Sequence, residues 1–233
     1  MAEIIVFFDI GGTLVDAPDI FEVVTKRLVG GKDSQTYGLV VKTYERMISE
    51  IRNNTIPFES VAGLHAISLE ELARRHGYRD ISSEAQEITI GVYGHQSEFY
   101  PETHSVLNHL LANNVRMIIA SDNDREILEV QKKKHNLSRY FSDFCISEDA
   151  RAYKPAPGFV NRLRKFVSHD SSSCFFVGDM PFDVECGKLL GIKSVLVSRN
   201  NQGISSADYF VHDLEELIPL LGLEQHSQNT TGL

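Results

Sequence analysis

The sequence predicts an α/β fold, built on a parallel sheet with helices on both faces and interrupted by one inserted helical segment. Three observations lead to this prediction. Short, continuous apolar runs recur along the chain, as in strands that are buried on both sides. Helix-like segments separate the later runs, which is typical of parallel sheets. The stretch 17–96 breaks this alternation and shows helical patterns without a strong strand.

The predicted strands of the core are six apolar runs, at residues 4–8, 115–120, 144–147, 174–177, 194–197 and, more weakly, 209–211. The predicted core helices are residues 105–112, 125–135, 157–167 and 182–190. Because the strands are parallel, their carboxyl ends lie at one edge of the sheet. Polar residues just after these runs are therefore expected to form a site there.

The insertion, residues 17–96, is predicted to be a helical cap between two core segments, 1–16 and 97–222. One helix is indicated by an apolar face with helical spacing, which we expect to be core: Val40, Tyr44, Met47, Ile48 and Ile51. A second is expected to start at Ser68, with Glu71 completing a capping box. A third is expected to start at Ser82 or Ser83. The last residues, 223–233, are polar and expected to be disordered.

Composition and charge limit the possible partners. The chain is 42% hydrophobic and 24% charged, as in ordinary globular proteins, and its net charge is −9. Such a surface repels polyanions, so we expect neither nucleic acid nor membrane as a partner. No apolar run is long enough for a membrane helix and no signal-peptide pattern is present, so a cytoplasmic location is expected. Nothing in the sequence specifies an oligomeric state.

Four short motifs follow apolar runs of the core, and together they point to phosphoryl transfer. They are FFDIGGTLVD with Asp9, IIASD with Ser121 and Asp122, YKPAP with Lys154, and VGDMPFD with Asp179 and Asp183. Each has an ordinary structural interpretation alone: Ser121 could begin a helix, and Asp122 and Asp124 could cap it. The order and placement of all four are much harder to obtain by accident.

A carboxylate that attacks a phosphate dianion needs neutralising charge, and Mg²⁺ prefers carboxylate and carbonyl oxygens. Asp9 and Asp179 could share such an ion with the carbonyl of Gly11. Asp183 could hold a metal-bound water or orient Lys154, whose charge would act on both the phosphate and Asp9. Ser121 and the backbone N–H groups near Asp122 could bind phosphate oxygens.

These motifs resemble the four motifs of the haloacid dehalogenase superfamily, from residue 4 to about residue 200. The resemblance implies a Rossmann-like core with an α-helical cap, and a phosphatase that hydrolyses a small phosphorylated metabolite with Mg²⁺. It implies Asp9 as the nucleophile, Ser121 and Lys154 as phosphate ligands, Asp179 as a metal ligand and Asp183 as a supporting carboxylate. The expected intermediate is an aspartyl phosphate.

The sequence departs from this family at Gly11, where phosphatases usually have a second aspartate that protonates the leaving group. Without it, hydrolysis of ordinary esters should be slower by about 10²–10⁴-fold. A cap residue such as His65 or His95, the nearby Asp16, a water, or a good leaving group could compensate. Three alternatives stay open: a dehalogenase-type enzyme, a catalytically weak protein that binds a phosphorylated ligand or a partner, and, from the DIGGT run, an actin-like sugar kinase.

Overall fold

A computed structural model describes residues 3–168, 170–199 and 206–224 of the chain. Most of the predicted polar tail, from residue 225 onward, lies outside the described residues. In chain order the strands are β1 (Ile5–Phe8), β2 (Val15–Asp16), β3 (Glu98–Phe99), β4 (Arg116–Ser121), β5 (Phe141–Ile146), β6 (Cys174–Gly178), β7 (Lys193–Val197) and β8 (Tyr209–Val211).

Ten α-helices are found in the described ranges: α1 (Ile20–Val29), α2 (Ser34–Arg52), α3 (Val61–His76), α4 (Ala85–Thr89), α5 (Thr103–Ala112), α6 (Arg125–His135), α7 (Ser147–Ala150), α8 (Pro157–Arg164), α9 (Pro181–Leu190) and α10 (Leu217–Leu220). A π-helical turn, Ile90–His95, continues α4. None of the described helices has the length and apolar character needed to cross a membrane.

The core is a parallel sheet in the order β5-β4-β1-β6-β7-β8, which confirms the predicted α/β class. Both faces are covered because the side chains of β1 alternate between two apolar clusters. Val6 and Phe8 pack with residues of α5 and α10. Ile5 and Phe7 pack with residues of α8 and α9. Burial on both faces explains why the strands are continuously apolar.

The register of the three central strands brings the motif residues to one edge. Phe8 at the end of β1 pairs with Ile119 on one side and with Val177 on the other. Asp9 follows this level directly, and Ser121 and Asp179 follow it by two residues. The parallel arrangement thus places all three beyond the same carboxyl edge of the sheet.

The insertion lies between β2 and β3, which form a small antiparallel pair. Helices α1 to α4 contribute to an apolar cluster of their own, and we propose on this basis that residues 17–96 form a cap domain. The predicted helix start at Ser68 is wrong. The helix begins at Val61 with Ser60 as its cap, and Ser68 is buried in its middle, where its hydroxyl donates to the Leu64 carbonyl at 2.7 Å. This local bond to the preceding turn lets serine stay inside a helix.

Asp124 links the core to the insertion. It was expected to cap the helix that follows it, but its side chain makes no such bond to α6. Its two carboxylate oxygens instead accept from the backbone N–H groups of Val61 and Ala62, at 2.7 and 2.8 Å. A carboxylate from the core therefore satisfies the first N–H groups of α3, where negative charge is favoured.

Candidate active site

A buried ion-pair network forms at the carboxyl edge of the sheet. Lys154 donates from Nζ to Asp9 Oδ1 at 2.6 Å and to Asp183 Oδ1 at 2.7 Å. It also contacts the Ala120 carbonyl at 3.3 Å. Lys154 is 1% exposed, Asp9 7% and Asp183 1%, so water screens these charges poorly. Side chains from three of the four motifs, and a backbone carbonyl from the motif IIASD, thus meet in one network.

Two glycines make room for the acidic groups. Gly12 has a positive φ of 69°, and a Cβ there would overlap the carboxylate of Asp179. A Cβ on Gly178 would overlap the side chain of Asp183. The Asp183 carboxylate also accepts from the Met180 N–H at 3.0 Å, which ties it to the start of α9. These close approaches explain why glycine is needed at both positions: a Cβ at either one would displace an acidic side chain of the last motif.

The carboxylates around Lys154 are buried and lie close together, which raises the pKa of two of them. Burial, together with the charges of Asp9 and Asp183, raises the pKa of Asp179 to about 8. Burial raises the pKa of Asp183 to about 7, against the opposing effect of Lys154. One lysine therefore does not compensate all of the negative charge of these carboxylates.

The same residues fit a hard metal ion. Asp9, Asp179 and Asp183 each offer a carboxylate oxygen, and these oxygens lie within 4.8 Å of one another. An all-oxygen donor set suits Mg²⁺ rather than soft metals. Thr13 donates to Asp179 Oδ1 at 3.4 Å, a partner that the sequence reasoning did not identify. Gly11, predicted to offer its carbonyl, lines the cavity above this cluster.

Ser121 and Asp122 lie at the end of β4 and line the same cavity. The Asp122 carboxylate accepts from the Lys154 N–H at 2.9 Å, and its other oxygen lies 3.5 Å from Arg52 Nη2. Its side chain therefore positions two cationic residues. A negative carboxylate would repel a phosphate, so any phosphate contact expected of Asp122 falls to its backbone.

A cavity of about 440 Å³ opens above these groups, between the sheet edge and the insertion. The insertion contributes mostly aromatic and apolar side chains to its wall, together with one arginine and one aspartate; among them are Asp19, Phe21, Tyr44, Ile48, Arg52 and Tyr93. Tyr44, expected to be core, is partly buried against an apolar cluster and also lines this space. Phe182, which lies between Asp179 and Asp183 in the sequence, also lines the cavity. The motifs alone did not predict a role for it.

Position 11 is open, and no histidine of the insertion is among the residues that line the cavity. Apart from its two chain neighbours, a Cβ on Gly11 would have no heavy atom within 4 Å. Neither His65 nor His95 lines the cavity. His65 is packed against the ring of Tyr44, with 4.5 Å between ring centroids, and burial lowers its pKa to about 3. It is therefore neutral at pH 7. Asp16 is exposed and does line the cavity.

Comparison with known proteins gives one consistent family. Residues 6–197 match the model of the haloacid dehalogenase-like hydrolases. A protein of Caldanaerobacter subterraneus that carries the provisional name pyrophosphatase PpaX is 21% identical to this chain, over 93% of each chain. A phosphoglycolate phosphatase of Pseudomonas savastanoi is 25% identical, over 92% of this chain and 78% of its own.

The fold is shared with solved structures of the same family. The L-2-haloacid dehalogenase of Xanthobacter autotrophicus, with chloropropionic acid covalently bound, superposes with a TM-score of 0.75. The alignment covers 95% of this chain and 99% of the dehalogenase, at 17% identity. At this identity the likeness establishes the fold alone.

Proposed function

The chain belongs to the haloacid dehalogenase-like hydrolases, and we propose that it is a magnesium-dependent phosphatase acting on a small phosphorylated metabolite through an aspartyl phosphate on Asp9. The observation that carries this proposal is the convergence of three carboxylates and one buried lysine at the sheet edge. The phosphatase names of the two sequence relatives support it.

Asp9 is the proposed nucleophile because the ion pair with Lys154 fixes the orientation of its carboxylate at the sheet edge. Lys154 binds its Oδ1, which leaves the other carboxylate oxygen outside this ion pair and able to attack phosphorus. Attack displaces the leaving oxygen and forms a P–O bond to Asp9. Water then hydrolyses the acyl phosphate, which restores the carboxylate and releases inorganic phosphate.

The metal would be held by Asp9, Asp179 and Asp183, with the Gly11 carbonyl as a further proposed ligand. When bound, Mg²⁺ supplies the positive charge that allows a phosphate dianion to approach these carboxylates. Lys154, bonded to both Asp9 and Asp183, would add to the same charge balance. Ser121, at the end of β4, is the proposed hydroxyl ligand of the phosphate, together with backbone N–H groups at Asp122.

Gly11 restricts the proposed substrates. A leaving alkoxide needs a proton, and glycine has none to give. The open space at position 11 has room for water but holds no side-chain acid. We therefore propose that the enzyme favours phosphate compounds with good leaving groups, such as acyl phosphates or phosphoanhydrides, over simple alkyl esters.

A substrate screen with and without Mg²⁺ tests the function. We expect metal-dependent phosphate release from p-nitrophenyl phosphate and acetyl phosphate, abolished by EDTA and by Asp9→Asn. Metal-independent release of halide from 2-haloacids would instead establish the dehalogenase alternative. If no compound reacts but phosphorylated ligands still bind, the protein is a binding member of the family and the proposal is wrong.

A further inference from the structure

Arg199 lies two residues beyond the end of β7 and contacts the turn that follows Asp9. Its Nη2 donates to the Thr13 carbonyl at 3.0 Å. Its Nη1 forms an ion pair with Glu102 Oε1 at 2.7 Å. The guanidinium also lies over the ring of Tyr100, with Cζ 3.5 Å from the ring centroid. These three contacts fix the plane of the guanidinium against the turn.

The ion pair of Arg199 with Glu102 is largely shielded from water. The two side chains are 20% and 11% exposed, respectively. Solvent therefore screens their attraction less than that of an exposed pair, and the geometry is held more firmly. Glu102 also precedes α5, whose first residue, Thr103, donates from its hydroxyl to the Leu14 carbonyl at 2.9 Å. Core residues thus hold two consecutive carbonyls of the turn, those of residues 13 and 14.

The glycine turn, residues 10–15, connects these contacts with the proposed metal site. The N–H groups of Leu14 and Val15 both donate to the Ile10 carbonyl, at 2.9 and 3.0 Å. The Gly12 N–H donates back to the Val15 carbonyl at 2.9 Å. Because these bonds join its two ends, the turn is a compact unit, and a shift at one of its residues moves the others.

The glycine turn is packed directly against Asp179. A Cβ on Gly12 would overlap the Asp179 carboxylate, so the backbone of the turn passes close to this group. Thr13 is fully buried and donates from its hydroxyl to Asp179 Oδ1 at 3.4 Å. The same residue accepts the hydrogen bond of Arg199 through its carbonyl. Arg199 is therefore linked through Thr13 to a carboxylate of the acidic cluster, and through the turn to the Gly11 carbonyl.

Arg199 is not among the residues that line the cavity above Asp9. It lines a second cavity of about 610 Å³, on which Asp179 also borders. Its charge is already balanced by Glu102 within the ion pair. This position therefore supports a contact with the turn rather than with a substrate phosphate.

Building on the proposed metal-dependent function, we infer that Arg199 is a positioning residue for the metal site. It holds the glycine turn so that the Gly11 carbonyl and the Asp179 carboxylate are oriented together toward Mg²⁺. Residues that orient metal ligands without contacting the metal contribute strongly to affinity, and their replacement typically costs about 10- to 100-fold. Glu102, as the ion-pair partner of the guanidinium, supports the same role.

The affinity for Mg²⁺ tests this inference without requiring turnover. The Kd is obtained from the rise of Tm with free Mg²⁺, starting from metal-free protein. The variants are Arg199→Gln, which removes the charge, and Arg199→Lys, which keeps it without the planar fork. Arg116→Gln is the matched control, because Arg116 also pairs with a carboxylate, that of Asp143 at 3.1 Å, and lies near the ring of Phe166. Arg116 begins β4, at the opposite edge of the sheet.

We expect the Kd for Mg²⁺ to be about 10- to 100-fold larger in Arg199→Gln than in the wild-type protein, and unchanged in Arg116→Gln. Arg199→Lys should give an intermediate Kd. Hydrogen exchange in EDTA supplies a second readout that needs no metal. The amides of Gly12 and Val15 should exchange faster in Arg199→Gln, whereas the amides within β1 should keep their rates.

An unchanged Kd in Arg199→Gln would overturn the inference, even if the variant has a lower Tm in EDTA, because a merely structural role predicts that result. Unchanged exchange at Gly12 and Val15 would also contradict it. If Arg199→Gln does not fold, Glu102→Gln takes its place with the same expected increase in Kd. A wild-type protein whose Tm does not respond to Mg²⁺ would instead contradict the metal-dependent function, and the exchange measurement would still decide whether Arg199 holds the turn.

Discussion

Lys154 and Asp183 form an ion pair in which both side chains are almost completely buried, with 2.7 Å between Nζ and Oδ1 and exposures of 2% and 1%. Burial opposes the lysine charge, but Asp183, Asp9 and Asp122 outweigh it and hold the pKa of Lys154 well above its ordinary range. The lysine therefore keeps its charge at neutral pH in the folded protein. It supports both the stability of the sheet edge and the proposed chemistry.

Replacing Lys154 should damage stability and activity together. Lys154→Met leaves two buried carboxylates without their cation, which should lower the free energy of unfolding by about 3–5 kcal/mol in metal-free buffer. The double variant Lys154→Met/Asp183→Asn should recover part of this loss but no activity. Urea unfolding checks both, with the exposed Lys133→Met as control. A stable, active Lys154→Met protein would contradict the network's role.

Restoring an acid at position 11 should change which leaving groups are accepted. The open space there accommodates a side chain. Gly11→Asp should therefore accelerate hydrolysis of alkyl phosphates by about 100-fold and of p-nitrophenyl phosphate far less, because only the poor leaving group needs a proton. The plot of log kcat/KM against leaving-group pKa should flatten. Gly11→Asn, which cannot donate an acidic proton, is the control, and an equal effect on all esters would argue against this explanation.

Metal binding should be visible as stabilisation. A ligand at one hundred times its Kd stabilises the folded state by about 2.7 kcal/mol, so Mg²⁺ should raise the Tm relative to EDTA. Asp179→Asn should reduce or abolish this shift. Glu185→Gln, on the exposed side of α9, should keep it. An unchanged shift in Asp179→Asn would exclude that carboxylate as a ligand.

His65 should make the protein sensitive to mild acid. Its folded pKa is about 3, because of burial, against 6.5 as its ordinary value. The unfolded chain therefore takes up this proton first, and stability is lost as the pH falls from 6.5 towards 3. At pH 5 the loss is about 2 kcal/mol. His65→Phe should keep the packing on Tyr44. Between pH 7.5 and pH 5, the free energy of unfolding of this variant, measured by urea titration, should fall by about 2 kcal/mol less than that of the wild-type protein. Parallel losses in both proteins would show that other groups set the acid sensitivity.

The sheet was predictable because its signal is local. Continuous apolar runs separated by segments with helical periodicity indicate buried parallel strands. Parallel strands bring Asp9, Ser121 and Asp179 to one edge of the sheet, independently of the conformation of the loops. The start of β5 was harder to predict. It begins at Phe141 rather than at residue 144, because an edge strand tolerates polar residues such as Ser142 and Asp143.

The insertion was harder to predict because its ends depend on distant contacts. The N-terminus of α3 is capped partly by Asp124, which lies 63 residues from Val61 in sequence. No local pattern reveals that a core carboxylate would serve this helix. The contact between Arg52 and the ring of Phe182 likewise arises only when α2 meets α9.

The central claim is that Asp9 becomes phosphorylated during turnover, and chemical trapping tests it most directly. A reaction with acetyl phosphate and Mg²⁺ is quenched within one turnover and reduced with borohydride, which converts an aspartyl phosphate to homoserine. We predict homoserine at position 9 in the mapped peptides, absent with EDTA and in Asp9→Asn. Phosphate release with an unmodified Asp9, or with the label on another residue, would contradict the account.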